Sequence, residues 1–352
     1  MKWAEESYIV AAIDPSFLTS PSQAEELLSH VVNLLNENPA CDLSDRIGLI
    51  AYSPHSWSQV APILSNIDGL KAAIVYATIA DVTALPVTTV PTVHHLAGKE
   101  KSPSTLQRNK DLLMQYSYSE TDSASFSLPF QPSFHYNAEA ISHTRNLTFL
   151  KEKMCGPWFD LEQIWDEHTY YEFENRSVEH TMSTMVQEPY VNHVPTLTGG
   201  IGREKLTAFY RDHFIWKNPA NTTLELISRT IGIDRIVDEF LFKFKHDTEV
   251  DWLIPGIAPT HRALEIPFMA VVNIRGDRLY HEHITWDQGT VLMQLGFMPK
   301  DLVAVEDHAG AGNPHQQKVC KAPIYGKETA AKLRDKNAIM SNALFDNLVS
   351  SN

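Results

Sequence analysis

Cysteines and basic residues are scarce in this 352-residue chain. Its three cysteines, Cys41, Cys155 and Cys320, are odd in number and far apart, which excludes a disulfide framework and a CxxC metal or redox motif. Because 29 Lys and Arg stand against 43 Asp and Glu, the formal charge is −14, and the chain repels nucleic-acid phosphates and anionic lipids. We therefore expect neither nucleic acid nor a membrane as a partner.

Long apolar runs are also missing. None approaches the roughly 18 residues of a membrane-spanning helix, and the acidic N-terminal stretch lacks the apolar core of a secretory signal. Together with the low cysteine content, these absences predict a cytoplasmic protein. The chain does have the composition of a globular protein, with 43% hydrophobic and 20% charged residues, and enough length for two domains.

The first half alternates short β-branched apolar runs with helical patterns, which is typical of a parallel sheet flanked by helices. The pattern predicts strands at 8–13, 47–52, 72–76, 92–96 and 112–118, and a closing helix over 137–153. Gly156 and Pro157 then interrupt the chain. Residues 1–155 are thus predicted to form an α/β domain.

The second half places helices first, at 160–172, 178–185 and 203–214. Long strands follow at 222–232, 236–246, 263–275 and 279–286. This segregated order is typical of an α+β domain, which we expect to span 156–300. Residues 301–352 are expected to form a C-terminal extension with a helix over 328–348.

Ser53 follows a predicted strand and precedes a predicted helix, as the nucleophile of a hydrolase elbow does. The stretch RIGLIAYSPHS at 46–56, with VPTVHHLAG at 90–98 and YNAEA at 136–140, resembles the dienelactone hydrolase (carboxymethylenebutenolidase) family. Ala51 and His55 replace the elbow glycines of that family. The resemblance implies a truncated, degenerate hydrolase-like domain, with ester or lactone hydrolysis by Ser53 as an alternative.

Four motifs of the second half carry another resemblance: EPYVNHVP at 188–195, GIAPT at 256–260, RLYHEHITWDQ at 278–288 and LMQLG at 292–296. They resemble the SnoaL-like polyketide cyclase family, whose cone-shaped fold is that of nuclear transport factor 2. The resemblance implies a homodimer and a cofactor-independent acid/base cyclase, isomerase or lyase. Its substrate would be an apolar carbonyl, polyketide-like or lactone-like small molecule. A non-catalytic ligand-binding or scaffold protein is the remaining alternative.

The resemblance places Asp287 at the position of the base that removes a proton next to a carbonyl. Strand periodicity puts His281, His283, Thr285 and Asp287 on one face, which we expect to line an apolar cavity. There the pKa of Asp287 would rise toward the working pH. Asp287 as the cap of a helix from 288 is the alternative.

His193 matches a family histidine that points into the cone, where it could stabilise a forming enolate, and His283 is a further catalytic candidate. The expected substrate-binding residues are His281, Thr285, Tyr190, His246 and Trp165. A packing role is the alternative for His246 and Trp165, and for His193 the alternative is a buried histidine that ties loops together.

The triplet His281-Glu282-His283 could ligate a metal with His193 or His246 as a third histidine. SnoaL-like cyclases work without metal, so the resemblance implies no metal and no other cofactor.

Overall fold

The computed structural model describes residues 2–100, 102, 106–303 and 319–346. The chain divides into unit 1, Met1–Phe159, and unit 2, Asp160–Asn352. The boundary therefore lies a few residues beyond the one that the sequence indicates. Within the described residues, no helix is long and apolar enough to cross a membrane.

Unit 1 contains a five-stranded sheet in the order β1-β2-β3-β5-β4. Its strands are β1 (Ile47–Ala51), β2 (Leu70–Thr78), β3 (Thr92–Ala97), β4 (Arg108–Asn109) and β5 (Leu113–Tyr118). The first three and β5 run parallel, and β4 is antiparallel to β5. Strand β3 is buried along its whole length, because helices cover both faces of a parallel sheet. The predicted α/β organisation is confirmed.

The α-helices in the described part of unit 1 are α1 (Lys2–Glu5), α2 (Pro21–Asn36), α3 (Pro54–Val60) and α4 (Tyr136–Met154). Helix α2 begins after Ser20, whose hydroxyl accepts a hydrogen bond from the backbone N–H of Gln23. Residues of α2 and α3 contribute to one hydrophobic cluster, and residues of α4 contribute to another.

The predicted strand over 8–13 is wrong. These residues form neither helix nor strand, and Ile9 and Val10 are exposed. The apolar pattern is that of a strand, but a strand needs a partner ladder. Strand β1, at the edge of the sheet, pairs with β2 and not with this segment.

Unit 2 starts with helices α5 (Leu161–Phe173) and α6 (Val178–Ser183) and has α7 (Arg203–Phe209) between its second and third strands. Its sheet has the order β7-β6-β11-β10-β9-β8. The strands are β6 (Met185–His193), β7 (Thr198–Ile201), β8 (Thr223–Ile231), β9 (Arg235–Lys245), β10 (Ala263–Arg275) and β11 (Arg278–Trp286). All neighbours are antiparallel except β6 and β11. The predicted α+β order is confirmed.

The sequence pattern missed β6 and β7. Pro189 lies inside β6, and the pairing of β6 with β11 shifts its register between Leu279 and His281. Proline is unusual within a sheet, and such a shift breaks the alternation that marks a strand.

The remaining elements are α8 (Gln288–Leu295), the pair β12 (Asp301–Val303) and β13 (Val319–Lys321), α9 (Glu328–Arg334) and α10 (Ala343–Asp346). The single helix predicted over 328–348 is wrong. Helix α9 ends at Arg334 because the carboxylate of Asp335 accepts from the N–H of Asn337, which favours a turn over a further helical turn. Arg334 forms ion pairs with Glu225 and Glu265, which join α9 to strands β8 and β10 of unit 2.

Candidate active site

Four buried polar side chains meet on the inner face of the unit 2 sheet, and we call them the quartet: His168, Glu172, Tyr210 and Glu282. None is more than 3% exposed. Glu172 lies one turn after His168 on α5, so both side chains project from the same face of that helix. Tyr210 begins the single π-helical turn that follows α7, and Glu282 projects from β11.

The ring of His168 lies at the centre of the quartet. Its Nε2 is 3.2 Å from a carboxylate oxygen of Glu172 and 3.2 Å from one of Glu282. The hydroxyl of Tyr210 is 3.4 Å from the same Nε2 and 3.4 Å from the Glu282 carboxylate. A proton acceptor and two groups able to donate therefore converge at one buried point.

Thr184 fixes the orientation of this ring. Its Oγ1 is 2.6 Å from Nδ1 of His168 and donates its own proton to the carbonyl of Thr181 at 2.7 Å. Since that hydroxyl has only one proton, Nδ1 must donate to it. Nε2 is therefore the ring atom that faces the two carboxylates.

The electrostatics of the quartet follow from burial and from its own charges. Burial lowers the pKa of His168, but Glu172 and Glu282 outweigh it and raise that pKa to about 10. Burial raises the pKa of Glu172, and the charge of His168 opposes this. Burial and the two carboxylates raise the pKa of Tyr210 well above its usual range. At neutral pH, Tyr210 keeps its proton and His168 is charged.

Trp165 joins the quartet to a second polar group. Its ring stacks on His168 with centroids 5.7 Å apart, and its Nε1 donates to Asp238 at 2.8 Å. Arg229 holds Asp238 with two further hydrogen bonds of 2.8 Å. Trp165, predicted to bind substrate, thus lies beside the candidate site, and Asp238 fixes its indole.

His193 is buried within an aromatic enclosure. Its ring lies 4.7 Å from Trp252, and its Nδ1 is 3.1 Å from Thr198 Oγ1. Burial lowers the pKa of His193 to about 3, so the ring is neutral. The other rings around it belong to Phe209, Phe214 and Trp286. The position inside the unit agrees with the sequence prediction, and its catalytic role stays a prediction.

Asp287 does not lie in an apolar cavity, so that prediction is wrong. Its carboxylate is exposed and caps α8, accepting from the N–H groups of Gly289 at 3.0 Å and Thr290 at 3.1 Å. The hydroxyl of Thr290 adds a bond of 2.7 Å. The strand has ended at Trp286, and the four free N–H groups of a helix start attract a carboxylate.

The face predicted to line the cavity is the outer one. The rings of His281 and His283 stack there with centroids 4.5 Å apart, Tyr190 lies 5.4 Å from His283, and Thr285 is exposed. Burial lowers the pKa of both histidines, that of His281 to about 3. Neighbouring residues of a strand point to opposite sides, so Glu282 cannot share a metal with these histidines.

His246 and Ser53 each have a local structural role. Nδ1 of the buried His246 accepts from the N–H of Thr260 at 3.2 Å, which agrees with the packing interpretation. Ser53 caps α3, because its hydroxyl oxygen accepts a hydrogen bond of 3.1 Å from the backbone N–H of Ser56. The two serine hydroxyls also form a hydrogen bond of 3.0 Å with each other. Within the described residues, no histidine forms a hydrogen bond to Ser53, so the hydrolase triad is not assembled there.

No protein-family profile matches the chain. No curated protein matches it either. Solved structures are similar over part of the chain. One, assigned as a SnoaL-like polyketide cyclase from Jannaschia sp. CCS1, has 13% identity and a TM-score of 0.32 and covers 41% of this chain and 99% of its own.

A protein with a ketosteroid isomerase-like fold from Catenulispora acidiphila has 12% identity and a TM-score of 0.31, covering 39% of this chain and 94% of its own. An NTF2-like protein of unknown function from Burkholderia pseudomallei has 17% identity and a TM-score of 0.30, covering 38% and 95%. Sequence identities and TM-scores as low as these do not assign a reaction to this chain. The hydrolase-like identity of unit 1 stays a prediction.

Proposed function

We propose that unit 2 is an acid/base enzyme of the cyclase, isomerase or lyase type that acts on an apolar carbonyl compound, such as a polyketide-like or lactone-like metabolite. The observation that supports this most is the meeting of Glu282, His168 and Tyr210 within 3.4 Å inside the unit. Removal of a proton next to a carbonyl needs one acceptor for that proton and one donor to the forming enolate oxygen. The quartet contains both.

Three members of the quartet then have a role in the reaction. Glu282 accepts the proton, and Tyr210 and His168 donate hydrogen bonds to the oxygen on which negative charge develops. The exclusion of water around them strengthens these interactions. Trp165 supplies a flat apolar surface next to His168, which suits an apolar substrate.

The quartet is enclosed, so a substrate must enter by a local opening. The π-helical turn Tyr210–Phe214 is the segment that we expect to open, since π-turns interrupt the regular helical hydrogen bonds and occur often at functional sites. It carries Tyr210, so its movement would expose one side of the quartet.

Deuterium exchange tests the proposal without a known product. The protein is incubated in D2O with a panel of apolar ketones, β-keto esters and lactones, and mass spectrometry measures deuterium next to the carbonyl. We expect Glu282→Gln to lower the exchange rate about 10²- to 10⁴-fold, as the loss of a general base does. Glu167→Gln, at an exposed position of α5, is the matched control and should exchange like the wild type.

Two results would contradict the assignment. Wild-type exchange by a folded Glu282→Gln variant would remove Glu282 as the base. Loss of exchange in a folded Asp287→Asn variant would instead return the role to the residue that the sequence resemblance indicates.

A further inference from the structure

The contacts within the quartet are long for hydrogen bonds between charged groups. Such bonds usually measure about 2.7–2.9 Å between nitrogen and oxygen. Four contacts of the quartet involve His168 Nε2 or Glu282, and two of them measure 3.2 Å and two 3.4 Å. Tyr210 also hydrogen-bonds to Glu172. Next to it, Trp165 contacts Asp238 at 2.8 Å, and His168 contacts Thr184 at 2.6 Å. Contacts of ordinary length therefore lie directly beside the four long ones.

These four separations are close to the edge length of a tetrahedral metal site, in which four ligands define six edges. A divalent ion bound at about 2.0–2.1 Å by four N and O ligands separates those ligands by about 3.3–3.4 Å. The ligand atoms of His168, Glu172 and Glu282 all lie within 4.8 Å of one another. Tyr210 brings a fourth oxygen to the same place.

The chemistry of the donors fits as well. Thr184 accepts the proton of His168 Nδ1, so Nε2 is the ring atom that faces the ion, and the ion binds there in place of the Nε2 proton; this is the arrangement usual for metal-bound histidine. Two carboxylates neutralise a divalent charge at a place where an unbalanced charge would be costly. One imidazole with oxygen ligands suits Zn²⁺ and neighbouring divalent transition metals.

We propose that His168, Glu172, Glu282 and Tyr210 form a closed four-coordinate site for a divalent transition-metal ion. This concerns the same groups as the proposed function and adds regulation to it. When the ion is bound, Glu282 is a ligand and no longer a free base, so metal is expected to inhibit proton exchange. Because all four positions come from the protein, the bound ion should also stabilise the fold.

The test uses untagged full-length protein that has been treated with a chelator and dialysed. Titration calorimetry with zinc chloride and elemental analysis after dialysis should give one equivalent of zinc. Cobalt(II) should give the intense visible absorption of a tetrahedral site. We expect Glu172→Gln to weaken zinc affinity at least 100-fold and Thr184→Val, which removes the partner of Nδ1, to weaken it about 10- to 100-fold. Glu167→Gln should bind like the wild type.

Surface pairs could also attract zinc, such as His213 with Asp251 and His261 with Asp247. One equivalent that persists at wild-type affinity in a folded Glu172→Gln variant would place the ion elsewhere and overturn the proposal. An octahedral cobalt spectrum, or no binding by folded wild type, would overturn it too. If Glu172→Gln does not fold, Thr184→Val and the wild-type cobalt spectrum decide.

The two proposals can fail separately. If zinc does not bind but Glu282→Gln abolishes deuterium exchange, the metal site is wrong and the acid/base function stands. If zinc binds with tetrahedral geometry but exchange is absent or independent of Glu282, the metal site stands and the function is wrong.

Discussion

Acid should destabilise unit 1 through His95, which lies at the centre of its sheet and is fully buried. Its Nε2 is 2.5 Å from Asn146 Oδ1, and its Nδ1 is 2.7 Å from the hydroxyl of Tyr118. The amide NH2 of Asn146 donates to Tyr76, which identifies Oδ1 as the acceptor. Nε2 therefore carries the proton of a neutral ring, and Nδ1 accepts from Tyr118. A second proton would reverse that last bond, and it would place a positive charge at a fully buried site near Arg145.

The size of the effect follows from the pKa shift. Burial lowers the pKa of His95 to about 3, whereas a histidine in the unfolded chain titrates near 6.5. The unfolded state thus gains a proton below pH 6.5 that the folded state gains only near pH 3. The stabilisation is complete above pH 6.5 and is lost as the pH falls. At pH 4.5 the loss is about 3 kcal/mol, because each of the two pH units below 6.5 costs about 1.4 kcal/mol.

Urea unfolding at pH 7.0, 5.5 and 4.5 measures this loss. A brief deuterium pulse at one common pH, followed by mass spectrometry of the peptide that contains β3, reports the unfolded fraction of unit 1. His95→Gln keeps one donor and one acceptor but cannot become charged. The variant should be less stable at pH 7.0 and should lose about 3 kcal/mol less than the wild type by pH 4.5.

The exposed His55→Gln variant is the control and should leave the pH dependence unchanged. His94, next to His95 on β3, also has a pKa that burial lowers, to about 4, and it should account for part of the remaining acid sensitivity. Equal pH dependence in wild type and His95→Gln would refute the reasoning, because it would show that His95 contributes no differential proton binding.

Three further perturbations test the structure of unit 2. Asp287→Ala should lower the free energy of unfolding by about 1 kcal/mol, because α8 loses its cap. The variant should keep the wild-type rate of deuterium exchange into the substrate. An unchanged thermal unfolding temperature would contradict the capping role. Arg229→Gln leaves Asp238 buried without its ion-pair partner and should lower the free energy of unfolding in urea by about 3 kcal/mol. A decrease below about 1 kcal/mol would show that the ion pair contributes little to stability. We also expect a homodimer that forms through the outer sheet face, where Met269 is 53% exposed. Sedimentation should show a dimer that the Met269→Asp substitution weakens. A wild-type monomer at micromolar concentration would contradict this expectation.

Much of the fold was predictable because it depends on local patterns. Both domain classes and the long strands β9, β10 and β11 follow from the alternation and spacing of apolar residues. The errors occur where a segment depends on partners that are distant in sequence. Residues 8–13 have the composition of a strand but no neighbour to pair with, and β6 pairs with β11 across a register shift.

The orientation of β11 was not predictable from its own residues. Its polar positions, His281, His283 and Thr285, suggested a cavity lining, yet they lie on the outer face. The inner face carries Glu282 between apolar neighbours and has the pattern of an ordinary core. One signal was available, since His168 and Glu172 are spaced four residues apart on a predicted helix, which places both on the same side.

Ser53 and Asp287 show why a local motif is a weak guide to catalysis. Each stands where a strand ends and a helix begins, and at each of these positions a family resemblance indicated a catalytic residue. In the structure both are helix caps, because an unpaired helix start binds the same hydroxyl and carboxylate oxygens that a nucleophile or base would use. Caps and reactive groups thus share one local sequence pattern. The quartet differs from these caps because α5, the turn after α7 and β11 bring their side chains to one buried point. Burial of polar and charged groups costs free energy, so such groups are kept where they have partners or serve a function.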